Sequence, residues 1–501
     1  MEGRQLVSKF LSYLKSKDPS SKPNSRTTHK FIRTNVFYFT ALLSTVFILV
    51  FHGPLHNNVF SVNSTIGLPI IRDPNLQVEE IGRGLPASPT SIDFLDNNNI
   101  LVTLKGHGFM SVNSSGVIKQ QTAASVFHIS NGVLQPEPVL RIPVNISGER
   151  GLLGIAIKRD DIGNESAPEK NMGTSSFTSM NQSKITVFLY YTEKESDKPA
   201  RNRIYAYQWN GTKLINPTLI LDLPAENLPL QNHQGGKLLV GPDRYLYAVI
   251  GDVGRRGVLQ NIKNSSGPSD TSVIFRINPE NGLPAEDNPF ISNNSSDPMN
   301  RYYAFGIRNS FGLAFDPVNG TLWDTENGDK TYDEINLVRP GLNSGWHSIM
   351  GPISRNNISE AQLVKNITNV PGSNYYDPVF SWQKAIGVTG LDFMRSSKLG
   401  DKYTNNLFVG DYNNGNLYYF KVNENRSGLQ IDTSQPGLSD LVADNETELS
   451  DIIFGTGFGT ITDVKSGPDG FLYVLDFYND RLFRIGPSEW LRFAWAMAQM
   501  K

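Results

Sequence analysis

No cysteine occurs among the 501 residues. Disulfides, thiolate zinc sites, cysteine-ligated iron–sulfur clusters, covalent c-type haem and a cysteine nucleophile are therefore excluded. Charge of one sign is not in excess either. Lys and Arg number 46 and Asp and Glu 48, which removes the electrostatic footprint expected of a nucleic-acid-binding chain. Histidine is scarce: His29, His52, His56, His107, His128, His233 and His347 are the full set. None forms an HExxH or HxH pair, so a histidine-rich metal site is not expected. Helical periodicity is rare between residues 80 and 487. What is plentiful is turn chemistry, with 44 Gly and 29 Pro spread along the chain. That composition belongs to a turn-rich β protein, and a chain this long buries a substantial core without cysteine staples.

The first 70 residues stand apart. Residues 1–33 carry eight basic side chains against Glu2 and Asp18, and a run without charge extends from 34 to 71. Its apolar centre is VFYFTALLSTVFILVF, residues 36–51. A bilayer span needs roughly 20 residues, and residues 52–55 extend the segment through the interface. It has no polar face at helical spacing and a basic flank on one side only. It therefore reads as a transmembrane signal-anchor over 34–55, with 1–33 cytoplasmic and everything beyond it extracytoplasmic. A buried soluble helix and a cleaved signal peptide are the alternatives. Fourteen Asn-x-Ser/Thr sequons, all beyond this segment, agree with an outside location. The expected organisation is a basic N-terminus over 1–33, the anchor over 34–55 and a linker over 56–79. A β domain over 80–487 follows, then a tail over 488–501 (EWLRFAWAMAQMK from 489) that reads as a short amphipathic helix.

Within the β domain one phrase recurs: a turn of Asp, Asn, Gly or Pro, then an alternating apolar strand ending at Asp, Glu or Gly. It appears as DNNNILVTLKG (96–106), GPDRYLYAVIGD (241–252), DPVNGTLWDTENG (316–328), NNLFVGDYNNGNLYYF (405–420) and GPDGFLYVLDF (467–477). A tight turn followed by period-two apolar residues is hairpin chemistry. Recurrence at roughly 65–85 residues, or a multiple, suits blades with long loops, and about 410 residues at that period give roughly six. The expectation is an all-β, six-bladed β-propeller of four-stranded antiparallel blades, preceded by the transmembrane helix. A β-sandwich array has the same turn chemistry. The closed ring is preferred because it protects strand edges and because no linker-like tract divides the region. The Asn/Ser-rich stretch 164–183 reads as an excursion loop.

His233 stands out by its surroundings, QNHQGGKLLVGPDRYLYAVIGD. It precedes Gly235 and Gly236, where backbone can approach a ligand closely, and a strand phrase that ends at Asp252. A His and an Asp meeting across such a hairpin would fix the imidazole tautomer and raise its basicity, as a general base requires. A structural histidine is the commoner case. Arg308 and Asn309 lie in a loop entering a strand, where functional polar groups concentrate. The run ENGDKTYDE (326–334) mixes carboxylates, Gly and free carbonyls, oxygen ligands suited to calcium, without EF-hand spacing. A plain acidic turn is the commoner explanation.

ERGLLGIAI (149–157), HQGGKLLVGPDRYLYAVIGD (233–252), YAFGIRNSFGLAFDP (303–317), TENGDKTYDEINLVRPGLNSGWHSIMG (325–351) and SGPDGFLYVLDFYNDRLFRI (466–485) occur in this order. Together they resemble the glucose/sorbosone dehydrogenase family, whose quinoprotein members are six-bladed propellers. The resemblance implies pyrroloquinoline quinone (PQQ) over the central channel with Ca2+, oxidation of a sugar hydroxyl, and an external electron acceptor. Carried over by motif, His233 is the base, Asp252 its orienting carboxylate, and Arg308 the stabiliser of charge on the quinone oxygen. Asn309 and Asn327 match cofactor contacts, the carbonyls of Gly328 and Asp329 match the calcium pair, and Glu149 and Asp333 match further polar positions.

Three family cations are replaced. A cofactor-binding lysine would fall at Asn413, and two arginines of an R-x-R-D-V phrase at Thr460 and Thr462. Lys384, in WQKAIGVTG, lies near another family contact and is the leading replacement, with Lys465 behind it. The implied function is a membrane-anchored, extracytoplasmic PQQ- and calcium-dependent aldose or alcohol dehydrogenase. The alternatives are a cofactor-less propeller that binds carbohydrate or acts as a scaffold at the cell surface, and a metal-dependent lactonase-like propeller.

Overall fold

Alternating apolar residues become buried faces throughout the β domain, and every residue of Leu246–Ile250, Leu322–Glu326, Leu407–Asp411 and Leu472–Asp476 is buried. These are the second strands of their sheets, covered on both faces by neighbouring layers. The computed structural model describes residues 67–112, 118–160, 184–193, 199–225, 231–356, 358–432 and 436–489.

The described strands form six sheets. Their innermost strands are Pro89–Asp96, Leu152–Asp160, Leu238–Val240, Ser310–Phe315, Val388–Phe393 and Ile461–Ser466. Each of these packs beside the next in that order, and Ile461–Ser466 packs back against Pro89–Asp96. The ring is therefore closed, a β-propeller in which no sheet offers an open inner edge. Closure also holds outside the ring. Leu76–Ile81, from the start of the described chain, pairs antiparallel with Arg481–Pro487 from its end.

Two expectations change here. The β domain begins before residue 80, because Ile70–Ile71 and Leu76–Ile81 are sheet strands rather than linker. Four strands per sheet is the rule in two sheets only. Elsewhere the long outer loops return short strands to the sheet edge: Leu342–Asn343 and Asn374–Tyr375 add in parallel to one sheet, and Val442–Ala443 adds to the next. They cover backbone donors that an outer edge leaves unpaired.

The anchored, single-pass localisation is corrected as well. Among the described residues no helix is long and apolar enough to cross a membrane. Residues 1–66, including the segment 34–55 on which that expectation rested, lie outside the described residues, as do 161–183 and 490–501.

Candidate active site

The topology sends particular segments to one end of the ring: those entering an innermost strand and those leaving a second strand. Glu149 precedes Leu152–Asp160, His233 precedes Leu238–Val240, and Arg308 and Asn309 precede Ser310–Phe315. Asp252 follows Leu246–Ile250, and Asn327, Gly328 and Asp329 follow Leu322–Glu326. Residues far apart in sequence thus face one cavity of ≈ 650 Å³, lined by Glu149, His233, Arg308, Asn309, Asn327 and Asp333 among others.

His233 is the centre of the arrangement. Its Nδ1 lies 2.7 Å from Oδ1 of Asp252. The same carboxylate accepts from the Gly254 backbone N–H at 2.8 Å through Oδ1 and from Trp346 Nε1 at 2.9 Å through Oδ2. A buried carboxylate with three donors is held in one orientation, so it assigns the proton to Nδ1 and leaves Nε2 as the acceptor. His233 itself sits at φ +61°, in the left-handed region that costs a non-glycine residue energy. Glu149 holds that turn: its Oε2 accepts from the backbone N–H of His233 at 2.7 Å and of Gln234 at 3.2 Å. Glu149 thus positions His233. Beneath it, a Cβ on Gly251 would lie 2.5 Å from the carbonyl oxygens of both His233 and Arg308, so only glycine lets these two loops close together.

Arg308 is anchored by its backbone N–H, which donates to Glu326 Oε1 at 2.7 Å. Its guanidinium donates to the Asn327 carbonyl at 3.1 Å, reaches Asp329 Oδ1 at 3.4 Å and lies 5.2 Å from the Trp346 ring centre. Its buried Nε meets no acceptor, which leaves one donor unused beside the cavity. Asn309 Oδ1 accepts from the Gly235 N–H, and its Nδ2 donates to Glu149 Oε2. Asn327 donates to the Val388 carbonyl at 2.8 Å.

Asp333 is consumed by the fold. Its oxygens accept from the backbone N–H groups of Gly328, Ile386, Gly387 and Val388, all within 3.2 Å. Burial still pushes its carboxyl above the usual range, against those four donors. Lys384 is not brought to the cavity. It is exposed at the end of Phe380–Lys384, and Ala385 and Gly387 line the site instead. Among the described residues no group of three or more His, Asp or Glu side chains is placed to hold a metal ion.

Several lining residues were not singled out from the sequence. Lys237 is buried and pairs with the fully buried Asp463 at 2.5 Å. Burial raises the Asp463 carboxyl, but Lys237 and Lys465 outweigh it and hold the group below its ordinary value. Lys105 donates to the Gly148 carbonyl at 2.6 Å, and burial lowers its ammonium against the opposing pull of Glu149. Tyr412, Phe477 and Tyr478 also line the cavity and pack on one another, and Asn413 and Thr462, the neutral positions read from the sequence, line it too. Lys105 and Lys237 close conspicuous phrases, LVTLK and HQGGK, but nothing in those phrases tells which end of a strand faces the channel. Lys465 lies outside this cavity and pairs with Asp93 at 3.1 Å.

The model of the glucose/sorbosone dehydrogenase family matches residues 174–484, more than half of the chain. The chain belongs to that family. Among curated relatives, an uncharacterised protein of Synechocystis is 26% identical over 86% of this chain and 92% of its own length. The aldose sugar dehydrogenase of Escherichia coli is 29% identical over 51% of this chain and 60% of its own length. The quinoprotein glucose dehydrogenase B of Acinetobacter calcoaceticus is 31% identical over 32% of this chain and 34% of that protein. Solved structures share the fold: a putative oxidoreductase (glucose dehydrogenase) of Thermus is 24% identical, with a TM-score of 0.57 over 82% of this chain and 99% of that one. The PQQ-bound aldose sugar dehydrogenase of Streptomyces coelicolor is 20% identical, with a TM-score of 0.53 over 83% and 99%.

Proposed function

We propose that the cavity takes an aldose or a related sugar alcohol and that the chain oxidises one of its hydroxyl groups. The observation that carries this reading is the His233–Asp252 pair at 2.7 Å, set in a strained turn that Glu149 holds. In this reading Nε2 of His233 takes the hydroxyl proton while Asp252 stabilises the imidazolium that forms. Arg308, with an unused donor, offers electrostatic stabilisation to an oxygen gaining negative charge. The names of the relatives from E. coli and A. calcoaceticus support a sugar as the substrate class.

The redox group that the reading calls for is PQQ with Ca2+, handing electrons to an external acceptor. Arg308, Asn309 and Asn327 would face its quinone end, and the carbonyls of Gly328 and Asp329 the cation. The carboxylate end does not fit. The lining is formally balanced, with Lys105, Lys237 and Arg308 against Glu149, Asp329 and Asp333. Asn413 and Thr462, where the resemblance calls for cations, are neutral. Each absent charge-assisted contact forgoes about 1.5–3 kcal/mol, so a tricarboxylate loses several orders of magnitude in affinity. No step is therefore routed through that group, and this mismatch favours a second reading, a propeller that binds carbohydrate without turnover.

Titration with PQQ and Ca2+, followed by dye-linked oxidation of a panel of aldoses, separates the two. Turnover that falls by about 10²–10⁴ in His233→Ala supports the dehydrogenase. Sugar binding without turnover supports the second reading, and neither binding nor turnover overturns both.

A further inference from the structure

Two neighbouring sheets end their second strands in the same four-residue pattern. Leu407–Asp411 runs into Asp411-Tyr412-Asn413-Asn414, and Leu472–Asp476 runs into Asp476-Phe477-Tyr478-Asn479. In both, the buried Asp clamps the Asn three residues on. Asn414 donates to Asp411 from its backbone at 2.8 Å and its side chain at 3.1 Å. Asn479 donates to Asp476 from its backbone at 3.5 Å and its side chain at 2.6 Å. Asp411 also accepts from Tyr418 Oη at 2.6 Å, and Asp476 from the Thr460 N–H at 2.8 Å. The two turns are fixed by their own chemistry, and what they present between the clamps is aromatic.

Tyr412, Phe477 and Tyr478 converge on the cavity wall. Ring centres lie 6.2 Å apart for Tyr412 and Phe477, 6.0 Å for Tyr412 and Tyr478, and 5.2 Å for Phe477 and Tyr478. Their planes meet at 48–80°, so the rings form a corner rather than a flat slot. Tyr478 is 68% exposed although it borders a site, an unusual state for a large aromatic in contact with two others. The same cavity is lined by the neutral Asn413, next to Tyr412 in the chain, and by the neutral Thr462.

We infer that Tyr412, Phe477 and Tyr478 form a substrate subsite that stacks on the apolar C–H face of an uncharged pyranose ring. This rests on the carbohydrate reading above and adds the part of the ring recognised and the charge it must lack. A pyranose has a face of C–H bonds and a rim of hydroxyl groups. The aromatic corner matches the face, and Asn413 with Thr462 matches the rim. A carboxylated ring gains no counter-charge on this wall. Rigid two-torsion side chains on clamped turns also lose little entropy on binding.

The test is calorimetric titration of the full chain with glucose, maltose and glucuronate, whose pyranose ring carries a carboxylate, in the wild type and in Tyr478→Ala and Tyr478→Phe. Tyr478 is largely exposed, so truncation leaves the fold intact. The expected result is that Tyr478→Ala raises the Kd for glucose and maltose about three- to tenfold, the range an aromatic contact supplies. Tyr478→Phe should restore binding, and glucuronate should bind more weakly than glucose to every variant. If turnover is present, KM should rise with kcat unchanged. Wild-type binding of glucose and maltose with unaltered Kd in Tyr478→Ala overturns the subsite and leaves the carbohydrate reading standing. Glucuronate bound as tightly as glucose overturns the neutral-ring preference. A wild type that binds neither neutral sugar overturns both readings.

Discussion

Asp252→Asn is the sharpest perturbation of the candidate base. The carboxylate accepts three hydrogen bonds, two at Oδ1 from His233 and Gly254 and one at Oδ2 from Trp346. An amide offers one oxygen and one NH2 group. With its oxygen toward His233, the NH2 group meets the Trp346 N–H, donor against donor. With the amide reversed, the NH2 group meets the Gly254 N–H and forces His233 Nδ1 to accept. Either orientation loses one charge-assisted bond and leaves a donor unpaired, about 1.5–3 kcal/mol of stability. The reversed form also moves the imidazole proton to Nε2, the atom that acts as base in the proposed reaction. Turnover, where present, should fall by about 10²–10⁴. Two assays read this: the urea midpoint, and the 15N shifts of the His233 ring, which report the tautomer whether or not the chain turns over substrate. Trp346→Phe is the control, since it removes the Oδ2 bond alone and keeps the dyad. If Asp252→Asn leaves both the midpoint and the ring shifts of the wild type, the dyad as described is wrong.

Gly251→Ala puts a methyl group 2.5 Å from the carbonyls of His233 and Arg308 and must part the two loops; turnover or sugar affinity should drop at least tenfold while circular dichroism stays that of a β protein. Asp324 is fully buried, and neither oxygen meets a donor in hydrogen-bond geometry, although Asn336 and Ser310 lie close enough to favour the charged form slightly. Burial first and Glu326 second raise its carboxyl well above the ordinary value. The folded state therefore holds a proton that the unfolded chain releases near pH 4, and stability falls as pH rises from there toward the folded value. Asp324→Asn should flatten that slope in thermal melts between pH 4 and 8, and an unchanged slope would assign it to other groups.

Much of the site was legible because its signals are local. His233 ahead of Gly235 and Gly236, Asp252 at a strand end, and Arg308 with Asn309 entering a strand were read from their phrases; the structure brings His233, Arg308 and Asn309 to one cavity and sets Asp252 against the His233 ring. Lys384 was read from proximity in sequence alone. Its strand ends before the channel, and the chain turns its side chain to solvent. Glu149 and Asp333 were read as polar lining, yet their carboxylates are spent on backbone donors, of which a sequence gives no account.

The sequence by itself determined the strands, their turns and the repeat that makes a propeller, since period-two burial and turn chemistry act over a few residues. Ring closure decided the rest. Lys237 meets Asp463 across 226 residues, and Leu76–Ile81 pairs with Arg481–Pro487. Tyr412 joins Phe477 and Tyr478 only because their sheets are neighbours. Which charges neutralise one another, and which wall is left aromatic and neutral, depends on these long-range meetings. The physical reason is that a charge's partner is set by distance in space, whereas a strand's buried face is set by distance along the chain.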